Sequence, residues 1–153
     1  MANETTLRLT VSGPEASIAD FRAAHIAENT NLGYAGSPVR LSFETFAAYP
    51  SGEGRNWAYK CWGSAYNAGY FEFIRDEPCL IECRFCAYDD DARPIFEAIA
   101  RLFPDLSGTI EGEEEGGSYC LSGWIRDGGY TMEEFAWSRE HYAKVHGRPY
   151  EDP

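Results

Sequence analysis

No stretch of the sequence carries the ~20 consecutive apolar residues that a helix needs to cross a bilayer, so helical membrane spans are not expected. Basic residues are scarce. Thirteen Lys and Arg stand against twenty-five Asp and Glu, a formal net charge of −12. Phosphate contacts dominate nucleic-acid affinity, so direct nucleic-acid binding is not expected either. There are only five cysteines, and an odd count argues against a disulfide framework. No C-x2-C pair is backed by a second one, so the spacing of a structural zinc site is missing. The opening residues Met1-Ala2-Asn3-Glu4 lack a basic region followed by an apolar one, which reads as no signal peptide. The expectation is a cytosolic protein with reduced thiols. No internal repeat and no long linker divides the chain, so residues 1–153 read as one domain.

What is present suits a folded globule. Forty-four per cent of the residues are apolar, which rules out global disorder. A chain of this length buries roughly two-thirds of its unfolded surface without staples. Thr5 to Val11 alternates, with Leu7, Leu9 and Val11 on one face, and predicts a half-buried strand. Ser12 and Glu15 have capping-box spacing with Pro14 between them, and Ile18, Phe21, His25 and Ile26 share a helical face. That helix is expected to fade around Asn29-Thr30-Asn31. Pro38 to Phe46 predicts a second strand, and Tyr49 to Asn56 a loop. Trp57 to Tyr66 is aromatic without a clear period. Gly69 to Arg75 and Cys79 to Tyr88 predict strands joined at Asp76-Glu77-Pro78. Ile95, Phe96, Ile99, Leu102 and Phe103 recur at helical spacing and stop at Pro104. Ser107–Glu113 and Ser118–Arg126 predict a hairpin. Thr131 and Glu134 offer a second capping box, which predicts a C-terminal helical extension over 131–147. The order implies an α+β fold with a mostly antiparallel sheet, two packed helices and a C-terminal helix. The split β-α-β, ferredoxin-like sandwich is the architecture it matches.

Charge is uneven along the chain. Residues 1–75 hold seven acidic and six basic residues, and residues 76–153 hold eighteen and seven. Asp89, Asp90 and Asp91 place negative charge before a helix start, where the helix dipole favours it. Glu113, Glu114 and Glu115 crowd a turn. These six are expected to be exposed and unpaired, because nearby bases are too few. Reversing the three glutamates to lysine is then expected to leave the fold intact. The spacing of a calcium-binding EF-hand loop is absent.

Several pieces resemble phage and plasmid proteins of the YubB ferredoxin-like family. They are the opening strand with Gly13, Leu41-Ser42-Phe43 running to Pro50, and Trp57 to Trp62-Gly63. The Cys79–Tyr88 strand, Phe96 to Leu106, and Gly116 to Gly128 follow in the family's order. Trp62-Gly63 and Phe103-Pro104-Asp105-Leu106 are the sharpest matches. The family's Trp-Gly-Thr-Lys-Trp departs here to Ser64-Ala65-Tyr66 after Gly63, without the lysine. Its Thr-Ala-Trp departs to Cys86-Ala87-Tyr88. The resemblance implies the fold and a mobile-element origin, and no activity.

Four groupings of residues invite chemistry. Cys79, Cys83 and Cys86 have the C-x3-C-x2-C spacing of radical SAM iron–sulfur enzymes. In a strand, however, Cys79 and Cys83 point to one face and Cys86 to the other, and free cysteines pack as small apolar residues. Cys61, Cys120, His141 and His146 offer zinc ligands at unsuitable spacing, and the two histidines read as surface groups near a helix end. His25 reads as packed on an apolar face. Trp57, Trp62 and Tyr66, with their aromatic neighbours, offer protein-binding anchors. The leading expectation is a non-enzymatic, acidic, cofactor-free protein from a phage or plasmid. It binds and inhibits a host protein with a basic surface, such as a nucleic-acid-handling defence complex. Asp89, Asp90, Asp91, Glu113, Glu114 and Glu115 would steer, and Trp57, Trp62 and Tyr66 would anchor. The alternatives are an iron–sulfur enzyme using the three cysteines, or a structural assembly component.

Overall fold

The computed structural model describes residues 2–30 and 37–153. Of the predicted fade of the first helix at Asn29-Thr30-Asn31, Asn31 lies outside them. The leading strand β1, Glu4–Ser12, alternates buried and half-exposed residues along its whole length. Its neighbour β5, Leu80–Tyr88, pairs antiparallel with it from Glu4↔Tyr88 to Ser12↔Leu80. On the other side β6, Ser107–Glu114, pairs antiparallel from Thr5↔Glu114 to Ser12↔Ser107. With β4 (Gly69–Glu77), β7 (Cys120–Arg126) and β8 (Gly129–Phe135), they form one six-stranded antiparallel sheet in the order β4-β5-β1-β6-β7-β8. A separate pair joins β2, Ile26–Glu28, to β3, Val39–Leu41.

Period-two alternation sorts the side chains of the large sheet onto two unlike faces. Leu7, Leu9 and Val11 of β1 join Ile81, Cys83 and Phe85 of β5 and Ile110 of β6 in one apolar core. Helix α1, Glu15–His25, covers this face with Ile18 and Phe21. Helix α3, Arg93–Leu102, covers it with Ile95, Phe96 and Ile99. The opposite face carries Thr6, Arg8, Thr10, Glu82, Arg84, Glu111 and Glu113, and it is roofed by α4, Arg139–His146.

Four expectations change. Ser12 is the last residue of β1 and does not cap α1, whose entry is Pro14 with its carbonyl accepting from Ile18 N at 3.0 Å. Helix α1 ends at His25 because Ile26 to Glu28 is drawn into pairing with β3. Phe43–Thr45 is a 3-10 turn rather than strand. The predicted 131–147 helix is divided: Thr131 to Phe135 belongs to β8, and the helix starts only after Ser138, whose Oγ accepts from His141 N. The Asp127-Gly128 turn explains this. Both residues have positive φ, +51° and +78°, the type I′ geometry that closes a tight hairpin.

The aromatic segment resolves into α2, Arg55–Trp62, closed by Gly63 in the left-handed region. A side chain at Gly63 would collide with the start of α3: its Cβ would lie 2.6 Å from Pro94 Cδ and 3.1 Å from Ala92 Cα, at φ +64°. Gly63→Ala is therefore expected to cost about 1–3 kcal/mol in backbone strain alone. Urea unfolding should show a lower midpoint at unchanged slope, and an unchanged midpoint would contradict this packing.

Candidate protein-binding face

The leading end of β1 is held between two acidic loops. Asp89, just past β5, accepts from Asn3 N at 2.7 Å and donates its own amide to Asn3 O at 2.7 Å. Glu115, just past β6, accepts from Glu4 N at 2.8 Å and donates its amide to Glu4 O at 2.9 Å. Two predicted acidic groups therefore meet at one end of the sheet, each occupied in clamping backbone.

Helix α2 adds the aromatic part. Arg55 and Tyr59, one turn apart, share a flank of the helix. Tyr59 Oη donates to Asp89 Oδ2 at 3.0 Å, and Arg55 Nη2 donates to Tyr66 Oη at 2.6 Å. Tyr66 is 46 % exposed and lies edge-on to Tyr88, with ring centroids 5.7 Å apart. The structure thus brings Tyr66, Arg55, Tyr59, Tyr88 and Asp89 together in one face, with Asp90 next to Asp89 in the chain. Trp57 is two residues from Tyr59 and faces another way, stacking edge-on against Tyr49 at 5.2 Å. Trp62 is buried, with its indole Nε1 donating to Ala47 O at 2.8 Å. Trp62 is core, not an anchor.

The acidic expectation needs correcting at three of its six residues. Asp91, Glu113 and Glu114 are buried, and only Asp89, Asp90 and Glu115 are exposed. Asp91 Oδ2 accepts from Arg93 Nε at 3.0 Å, while its Oδ1 has no partner. Its amide is donated to Asp90 Oδ1 at 2.9 Å. Partial desolvation, with the adjacent Asp91 charge, outweighs the bond from the Asp91 amide and holds the carboxyl of the otherwise exposed Asp90 above its ordinary range. Glu114 closes its own turn, accepting from Gly116 N at 2.8 Å and Ser118 N at 2.9 Å. Glu113 lies under α4 and accepts from His146 Nε2 at 3.0 Å and Trp137 Nε1 at 3.4 Å.

The histidines also differ from expectation. His141 is buried and donates to Leu121 O at 2.8 Å, with Glu111 Oε2 at 3.3 Å. His146 is half-buried. Five residues of helix rise about 7.5 Å, close to the ~6.8 Å between alternate strand residues, so both rings reach β6 at Glu111 and Glu113. His25 is buried as expected, stacked on Phe46 with centroids 3.9 Å apart, and burial lowers its pKa.

The three cysteines do not converge. Cys79 sits exposed in the turn before β5, whereas Cys83 faces the apolar core and Cys86 the opposite face. Among the described residues, no group of three or more His, Cys, Asp or Glu could hold a metal ion. Cys86 does share a cleft with His146, lined also by Glu4, Thr6, Tyr70, Arg84 and Phe85. A thiol beside a histidine is the arrangement of a nucleophile. Here burial pushes Cys86 up to about 11, with Glu4, Glu115 and Glu113 adding to the rise, so the thiolate such chemistry requires is not favoured at neutral pH.

Tyr59 was expected among the aromatic neighbours of Tyr66, but its link with Arg55 and Tyr88 into one face was not anticipated. The signal was the spacing of Arg55 and Tyr59, which has meaning only once residues 55–62 are assigned as helix. Comparison with family models, with curated proteins and with solved structures yields no match.

Reversing Glu113, Glu114 and Glu115 to lysine would set cations against N–H donors and is expected to unfold the 114–117 turn. A milder variant tests the same point. Burial raises the Glu114 pKa, but the Ser118 and Gly116 amides outweigh it, and the net position lies below the ordinary 4.5. Its stabilisation is therefore full above about pH 4.5 and lost as pH falls through the lower folded-state value. Glu114→Gln should cost about 1–3 kcal/mol at pH 7. The gap to the parent should close on acidification in urea titrations, and a gap constant down to pH 2.5 would contradict the assignment.

Proposed function

We propose that this chain is a non-enzymatic binding protein that captures a protein partner with a basic surface. The single observation that carries the reading is the junction of Tyr66, Arg55 and Tyr59 with Asp89. An exposed tyrosine with an arginine against its ring supplies the residue types that dominate binding energy at interfaces. The neighbouring exposed Asp90 and Glu115 supply negative charge for steering a basic partner. The order β4-β5-β1-β6, with helices following β1 and β5, supports a ferredoxin-like core to which β7, β8 and α4 are added. That core agrees with the resemblance to the phage and plasmid family. With the mobile-element origin taken from that resemblance and the uneven acidic charge, we read the partner as a host protein, inhibited by occupation, of the nucleic-acid-handling defence kind, in the host cytosol. No helix is long and apolar enough to cross a membrane among the described residues.

The test uses immobilised full chain in bacterial lysate. The expected result is capture of a basic protein that weakens steeply as salt rises. Tyr66→Ala should weaken capture by about 2 kcal/mol or more, and Tyr66→Phe by much less. Capture indifferent to both salt and Tyr66→Ala would remove the reading.

A further inference from the structure

The sheet has two edges, and they are built differently. At β4 the register slips between Gly69 and Glu72 and again between Phe73 and Arg75, and Tyr70 adopts φ +48°. Packing against β3 and ion pairs at Glu72, Asp76 and Glu77 crowd that edge further. Bulges and charges of this kind are how proteins blunt an edge. At β8 the register runs unbroken from Arg126↔Gly129 to Cys120↔Phe135. The strand has no proline, no lysine and no bulge.

The hairpin turn fixes which backbone groups face out. A two-residue turn makes Arg126 and Gly129 a hydrogen-bonded pair. Alternation then points Thr131, Glu133 and Phe135 inward to β7, and turns the N–H and C=O of Tyr130, Met132 and Glu134 outward. Met132 O accepts a long bond of 3.3 Å from Arg93 Nη1, whose guanidinium also lies 3.8 Å from Glu134. Adjacent Glu133 and Glu134 place one carboxylate on each face of the strand, and both are exposed.

We propose that β8 is a docking edge for an extended basic segment of a partner protein, which adds as a seventh strand. Main-chain bonds to Tyr130, Met132 and Glu134 supply the attachment. Two adjacent lysine or arginine side chains of the arriving strand meet Glu133 on one face and Glu134 on the other, as favourable cross-strand pairs. The arriving side chain opposite Glu134 takes the place of Arg93. A second copy of this chain fits the edge poorly, since each copy carries the same acidic pair and a net charge of −12. The site is independent of the Tyr66 face. Four strand spacings separate β5 from β8 in the sheet order, roughly 19 Å.

The probe is a synthetic peptide with two adjacent lysines among valines and threonines, offered to the full isotope-labelled chain. The control is the same peptide N-methylated at alternate residues, which keeps charge and loses donors. The expected result is selective shift and exchange protection of the Tyr130, Met132 and Glu134 amides. The control should bind about tenfold more weakly, as the loss of one or two backbone hydrogen bonds implies. Glu134→Pro removes one outward donor without touching the β7 ladder and should weaken binding comparably. Should that variant not fold, Glu133→Lys combined with Glu134→Lys tests the charge pairing at an exposed position. Equal binding of the N-methylated peptide would overturn the proposal. So would shifts confined to the Tyr66 and Asp89 face, unchanged affinity in the lysine variant, or a dimer whose interface maps to β8.

Discussion

Two arginines stand side by side on neighbouring strands: Arg8 of β1 is directly opposite Arg84 of β5. Like charges so placed repel, and the arrangement around them answers that repulsion. Glu82 takes Arg8 at 3.1 Å and Glu72 takes Arg84. Each arginine then donates its remaining Nη1 to the end of α4, Arg8 to Lys144 O at 2.9 Å and Arg84 to Val145 O at 2.8 Å. The last carbonyls of a helix need donors, and its negative pole favours cations. The arginine pair and the helix end therefore satisfy one another. Glu111 and Glu113 complete the layer from β6, taking Lys144 at 2.9 Å and His146 at 3.0 Å. The polar face of the sheet is covered because of this layer.

The layer also changes the meaning of the charge distribution. By position in sequence the second half is isolated in its acidity. In the fold, β1 lies between β5 and β6, so Arg8 serves Glu82 from the other half of the chain, as Arg22 serves Asp76. Asp91, Glu111, Glu113 and Glu114, which looked like parts of a repelling surface, are buried ligands of backbone and base. Most of the others stay outward, among them Asp89, Asp90 and Glu115 near the leading end of β1 and Glu133 and Glu134 on the edge of β8.

The strands β1, β4, β5, β6 and β7 were legible because their alternation is strong and each is bounded by glycine, proline or charge. Helix α3 was legible from its apolar spacing and the Pro94 and Pro104 that frame it. The failures have separate physical causes. Thr131 and Glu134 do have capping spacing, but Asp127-Gly128 is a hairpin signal, and pairing with β7 overrode the local preference. Helix α2 was hidden because its apolar residues are bulky rings on a segment of eight residues. The burial of Glu113 and Glu114 was illegible in principle. Nothing local reveals that α4 folds back over β6, or that the 114–117 turn bonds to its own glutamate. Of the candidate site, Tyr66, Asp89 and Asp90 were legible as types, and Arg55 with Tyr59 only through the helix.

Four acidic residues of the second half, Asp91, Glu111, Glu113 and Glu114, are consumed inside the fold. Carbodiimide labelling of the native chain with a small amine, read residue by residue by mass spectrometry, tests it most directly. The structure predicts rapid labelling of Asp89, Asp90 and Glu115, and strong protection of Asp91, Glu111, Glu113 and Glu114, which are all at most 8 % exposed. Labelling of Glu113 and Glu114 at the rate of Glu115 would contradict the account.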